Sequence, residues 1–158
     1  MRREFFTYLY ENMCKNPSII AVTGDLGMGG FDRIRDNLPN QFINVGAAEQ
    51  SALDVAVGLA LDGKKPFVYS ITPFLLYRSF ETIRTYIDHE SIPVRLIGSG
   101  RNKDYKHDGF SHFAGDDKKF IKKFKNISCF WPSNNIDMYK CVDTMIEVDK
   151  PYYLNLSR

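Results

Sequence analysis

Three clusters of side chains in this sequence are of types that do chemistry. The first is the carboxylate of Glu49, set in "NVGAAEQSALDVAVGLALDG" (44–63) among small and apolar residues. A carboxylate taken out of water is costly unless a cation meets it or it holds a proton, and either state suits acid–base work. The competing account is a carboxylate at a helix N-terminus, accepting backbone N–H bonds and favoured by the helix dipole. The second cluster is "KHDGFSH" (106–112), with His107, Asp108 and His112. Imidazole exchanges protons near neutral pH and hydrogen-bonds through both nitrogens, which suits contact with a polar substrate. A histidine pair five residues apart in a loop is too loose a pattern for a metal, so no metal site is assigned to this chain. The third cluster is "GDLGMGG" (24–30), with Asp25 near its start. It has neither the GxGxxG spacing nor the GK[ST] of a phosphate loop, so it reads as a loop whose glycines permit tight turns. No Ser or Cys occupies a GxSxG elbow.

Such groups need elements to hold them. Short apolar runs at 18–24, 41–46, 65–71, 92–100, 127–131 and 151–157 read as strands. Helix patterns lie between them at about 2–14, 47–62, 73–89, 116–125 and 134–148. Strand and helix in alternation, with strands apolar on both faces, predict an α/β domain with a doubly wound, mainly parallel sheet of six strands and helices on both faces. Ligands of such folds bind beyond the carboxyl ends of the strands. The loops there hold Asp25, Glu49, "TPFLLY" (72–77) and the long 100–117 segment, whose length and aromatic and histidine content favour function.

The whole chain sets limits on partners. Its 158 residues, 44% hydrophobic and 25% charged, suit one domain with a real core. The net charge is only +2, and the lysines of "DDKKFIKKFKN" (116–126) read as a solvated helix face, not a nucleic-acid patch. Cys14, Cys129 and Cys141 form no CxxC pair, which points to reduced thiols in a cytoplasmic protein. The first helix is amphipathic, with Phe5, Leu9 and Met13 on one side, and no apolar run approaches the ~20 residues that cross a bilayer.

The order of these motifs resembles a known family. "GDLG", "INVGAAEQSALDVAVGLALDGKKPFVYSI", "PFLLYRSFETIR", "DGFSH" and the terminal "PYYLNLSR" are similar, in sequence order, to the pyrimidine-binding domain of transketolase and of deoxyxylulose-phosphate synthase. Both are thiamine diphosphate enzymes. The resemblance implies that 1–158 is a single pyrimidine-binding domain. It also implies that Glu49 hydrogen-bonds N1′ of the cofactor's aminopyrimidine and starts the proton relay toward C2 of the thiazolium, so that the partner intended for this carboxylate is a ligand. Phe74 is the first choice for the aromatic ring against the aminopyrimidine, with Tyr77 and Phe80 behind it, and core packing is the alternative for each. Arg78 falls where the synthase branch carries an arginine near the cofactor, and Asp25 matches an aspartate near the thiazolium. Asp108 and His112 match residues that meet donor-sugar hydroxyls, His107 adjoins them, and Arg158 matches an arginine that holds a substrate phosphate.

Two departures shape the expectation. The 158 residues hold no Gly-Asp-Gly motif for Mg2+ and diphosphate, and transketolase's third domain is expected to be absent. A separate diphosphate-binding subunit is therefore expected to ligate Mg2+, completing an α2β2 heterotetramer that transfers a two-carbon ketol unit between sugars. The histidine expected ahead of the Asp-Gly motif is replaced by Gly100, so phosphorylated and nucleotide-linked sugars both stay open. A decarboxylase or acyloin synthase built from the same half is the other enzyme reading. A non-catalytic α/β interaction domain, such as a receiver-like module using Asp25, is the non-enzymatic one.

Overall fold

Strands β1 (Ile19–Thr23), β4 (Arg95–Ser99) and β6 (Tyr152–Leu156) are buried at every position, as their apolar residues require when both faces are covered, and the polar side chains buried with them, such as Arg95 and Asn155, are hydrogen-bonded. The computed structural model describes all residues, 1–158. With β2 (Phe42–Asn44), β3 (Lys65–Ile71) and β5 (Ser128–Phe130) they form one sheet in the order β2-β1-β3-β4-β6-β5. Every neighbouring pair is parallel.

Helices α1 (Arg2–Lys15), α2 (Asp32–Asn37) and α7 (Asn135–Glu147) cover one face, burying Phe5, Leu9, Met13, Ile34, Met138 and Val142. The other face is covered by α3 (Glu49–Leu61), α4 (Thr72–Tyr77), a π-type helix (Ile83–His89) and α6 (Asp117–Ile121). Leu53, Ala56, Leu75, Ile83 and Ile121 supply its core. The sheet is thus doubly wound as expected, and strand order reverses at β1, beside which ligand crevices form.

Three elements differ from the sequence expectation. The helix expected over 73–89 is three pieces: α4, the single turn α5 (Phe80–Thr82) and the π-type helix. Thr82 donates to Asp54 at 2.6 Å and Gln50 reaches both side chains, so α5 is tied to α3 instead of continuing α4. The helix expected over 116–125 ends at Ile121, because Lys118 with Lys122 and Lys119 with Lys123 would stack like charges one turn apart. Helix α2 has no counterpart among the expected elements; its six residues carry a single buried apolar side chain, Ile34, too few for a periodic signal.

Candidate active site

Glu49 is the first residue of α3, at the carboxyl edge of the sheet, and is only 5% exposed. The chain itself supplies its cation: one guanidinium nitrogen of Arg78 donates to both carboxylate oxygens, at 3.0 and 2.9 Å. Glu49 is therefore not left waiting for a ligand. The break after α4 makes this possible, since Arg78 caps that helix and its side chain turns toward α3. Arg78 is 49% exposed, with its guanidinium 3.6 Å from the centroid of the Phe74 ring. His112 meets the other side of this cluster, edge-on to Phe74 at 4.7 Å. Beyond it stand Tyr105, 6.4 Å from His112, and Arg158, 5.2 Å from the Tyr105 ring. Glu49, Arg78, Phe74, His112, Tyr105 and Arg158 thus form one line of contacts.

Other candidate residues sit apart from that line. The Tyr77 hydroxyl donates to Asp116 and its ring packs on Phe120, while burial and the Asp116 carboxylate push the phenol's pKa up. Phe80 packs against Phe120 and Phe124 at 5.8 and 6.2 Å. Both rings belong to a surface aromatic cluster away from Glu49. His107 and Asp108 are exposed on a single 3-10 turn. Asp25 has a left-handed backbone (φ 58) and faces Asn44, whose amide approaches its carboxylate at 3.4 Å.

Local reading missed one feature. Arg2, Arg3, Arg33 and Arg158 line a cavity of about 710 Å3 floored by Gly29 and Gly30. Its members come from three separate stretches of the sequence and meet because α1 runs antiparallel to the strands, returning its first turn to the carboxyl edge where β6 ends. Nε of Arg2 is buried there without a hydrogen-bond partner. The Arg2-Arg3 pair was the available signal, and it reads equally as a solvated helix start.

The model of the transketolase pyrimidine-binding domain matches residues 1–158. The chain belongs to that family. It is 28% identical over 161 residues to an apulose-4-phosphate transketolase subunit of Phocaeicola vulgatus, covering 99% of the chain and 51% of that protein. It is 33% identical over 141 residues to a 1-deoxy-D-xylulose-5-phosphate synthase of Trichormus variabilis, covering 84% of the chain and 21% of that protein. Among solved structures, a split-gene transketolase described as an inactive β4 tetramer superposes with a TM-score of 0.87 at 28% identity, over 99% of the chain and 51% of that structure. The transketolase of Leishmania mexicana gives 0.87 at 17% identity over 99% of the chain and 25% of its own, a likeness of fold. The chain spans about half the length of the apulose-4-phosphate transketolase subunit and of the split-gene structure that it matches.

Within this pyrimidine domain the residues fit the family's cofactor at one end. The buried Glu49 carboxylate and the half-buried Phe74 ring, which both meet the Arg78 guanidinium, would offer a flat heteroaromatic a hydrogen-bond partner and a face. No three His, Cys, Asp or Glu side chains come together as a metal set, and no helix is long and apolar enough to cross a membrane.

A second buried carboxylate anchors the segment that carries His112. Oδ2 of Asp117 accepts from Trp131 Nε1 (2.9 Å), the Tyr153 hydroxyl (3.0 Å) and Asn155 Nδ2 (3.0 Å). Arg101 at the start of the same segment binds Asn155 Oδ1 at 2.9 Å and the Pro132 carbonyl at 2.8 Å. Gly98 is needed beneath this network, since a Cβ there would meet Thr72 Oγ1 at 2.7 Å. A hydrogen bond from Ala114 N to Asn102 O (2.8 Å) then closes the segment's neck.

Proposed function

We propose that the chain is the pyrimidine-binding part of a split transketolase-like enzyme, acting with a separate diphosphate-binding subunit to move a two-carbon ketol unit between sugars. The observation that carries this reading is the line from the buried Glu49 through Arg78, Phe74 and His112 toward the four-arginine cavity. One end of that line suits an aminopyrimidine and the other an anionic sugar, and the imidazole lies between them.

Bound thiamine diphosphate would supply an electron sink for cleavage and formation of a carbon–carbon bond. Glu49 would hold a proton against N1′ of its aminopyrimidine, displacing Arg78, which can turn into water because it is half exposed. Phe74 would orient the ring face. His112 would exchange a proton with a substrate hydroxyl, and its Nδ1, 3.0 Å from Ser111 Oγ, has a hydroxyl to fix its tautomer. Asp108 would bind a further hydroxyl. Arg158, with Arg2, Arg3 and Arg33, would hold a phosphate on the sugar. Asp25 would lie near the thiazolium. Mg2+ and diphosphate fall to the partner, a division favoured by the similarity to one subunit of an apulose-4-phosphate transketolase and to a split-gene transketolase; an α2β2 assembly is the simplest arrangement.

Calorimetry tests this. Thiamine diphosphate with Mg2+ is titrated into the chain, into a candidate diphosphate-binding subunit, and into their mixture, then repeated with Glu49→Gln. Tight binding only in the mixture, with ketol transfer lost on substitution, is expected. No binding in any mixture, or transfer indifferent to Glu49, would sink the reading.

A further inference from the structure

A second cavity, of about 680 Å3, opens between α4 and the 101–117 segment and shares no lining residue with the four-arginine cavity. Three of its walls are aromatic: Tyr77, Phe110 and Phe113. Between them stand Asn102, Lys103 and Asp116. Phe110 is 87% exposed, yet it lies on a segment whose neck is pinned by the Asn102–Ala114 bridge and whose base is anchored by Asp117. A large apolar ring held in water on a fixed scaffold gains by being covered. Lys103 makes no ion pair and stands 5.2 Å from the Phe113 ring centroid, and Asp116 engages only the Tyr77 hydroxyl through Oδ1.

We infer that this cavity binds a neutral pyranose ring, extending the sugar-transfer reading to a substrate with a glycosyl unit beyond the reacting carbons. The chemistry discriminates. Aromatic faces pack on the C–H faces of a pyranose, while an amide, a carboxylate and an ammonium hydrogen-bond to its hydroxyls. One acid and one base cancel, so the cavity exerts no net pull on an anion, unlike the four-arginine cavity. Its volume is of the order expected for a small-ligand pocket. The site also touches the proposed chemistry directly, since Ser111 lines the cavity and its hydroxyl pairs with Nδ1 of His112 at 3.0 Å. An occupant that draws on Ser111 therefore acts on the tautomer of the imidazole. This subsite rests on the proposed function only for its role as a substrate subsite; the binding itself needs neither cofactor nor partner.

The test is amide and aromatic NMR of the full chain, alone and mixed with the diphosphate-binding subunit, titrated with methyl α-D-glucopyranoside, methyl α-D-galactopyranoside, inorganic phosphate and uridine monophosphate. At least one glycoside is expected to shift Ser111, Phe113 and Tyr77 saturably, in the chain and in the mixture. Phe110→Ala, which removes a solvent-facing ring without disturbing the core, should weaken that response roughly tenfold, the scale of one lost ring contact. Lys103→Ala should weaken it less, and phosphate should not compete. No saturable shift with either glycoside overturns the inference. So does a response indifferent to Phe110→Ala, competition by uridine monophosphate, or loss of the site when the partner binds, which would make it an interface. Glycoside binding without ketol transfer would keep the subsite and reject the reaction, whereas transfer without glycoside binding would do the reverse.

Discussion

Asp117 and Glu49 are both carboxylates close to complete burial, 6% and 5% exposed, and each opens a helix. Their surroundings are opposite. Asp117 accepts from three fixed side-chain donors on one oxygen and from the backbone N–H of Lys118 (2.7 Å) on the other. Removing it orphans Trp131 Nε1 and the Tyr153 hydroxyl, which have no other acceptor, while Asn155 keeps Thr72 and the Gly100 carbonyl. Glu49 has a single side-chain donor, a guanidinium already half in water. Arg78 can leave without stranding itself, and an incoming ligand nitrogen can take its place. A buried charge saturated by several donors holds structure, whereas one balanced by a single half-exposed cation is ready for exchange.

The comparison breaks first at Glu49. Glu49→Gln should lower ketol transfer of the assembled enzyme by about 10²–10⁴-fold, the span of a lost proton-transfer group. The same change should cost stability less than about 1 kcal/mol, because its partner is solvent-exposed. Steady-state rates and thermal melts check both, and a large loss of stability with little loss of rate would reverse the roles given to the two carboxylates. Asp117→Ala should do the opposite to stability, costing roughly 2 kcal/mol or more by leaving the Trp131 and Tyr153 donors unsatisfied. Urea denaturation measures it, and a cost near zero would refute the network.

Asp149 provides an intermediate case. It is exposed, yet hydrogen bonds from Lys65 and then Arg95 hold its carboxyl below the usual carboxylate range. A folded-state pKa below the unfolded one gives stability that is present above the ordinary carboxylate value and lost as pH falls through the folded one. Asp149→Asn should therefore flatten the acid limb of the stability–pH curve below about pH 4, with an effect of up to about 1 kcal/mol at neutral pH after solvent screening. An unchanged acid limb would show that neither cation grips it in solution.

How much of this the sequence disclosed depended on how local each signal is. Strand and helix alternation revealed the doubly wound sheet, because burial on both faces leaves unbroken apolar runs such as "SIIAV". Glu49 stood out because a charge among small residues is anomalous in one short window. The pairing of Glu49 with Arg78 was not legible, since it depends on α4 ending at Tyr77 and on Thr82 and Gln50 tying the next turn to α3. The arginine cavity was hidden for the same reason: Arg2, Arg33 and Arg158 meet only through the direction of α1 and the end of β6. Tyr77 and Phe80 share the helical spacing of Phe74, and only the turn of the backbone separates the ring beside Glu49 from those on the lysine-rich surface.

The smallest effect gives the finest test of the contrast. Burial, and after it the negative charge of Asp117, pushes the Cys129 thiol up to about 12. At pH 8 only about one molecule in 10⁴ carries the thiolate there, so iodoacetamide should label the exposed Cys14 long before Cys129. Asp117→Asn removes the second cause and leaves the first, which should raise the Cys129 labelling rate a few-fold, by less than roughly ten. Glu49→Gln should leave it untouched. A general loosening of the fold would also raise labelling, but it would raise that of Cys141 too, whose thiol is held up by its own burial and by Asp137. Mass-spectrometric rates for all three cysteines therefore separate charge from opening. Selective acceleration at Cys129 means that Asp117 acts on this thiol through its charge, and equal acceleration at Cys141 means that the substitution opens the fold instead.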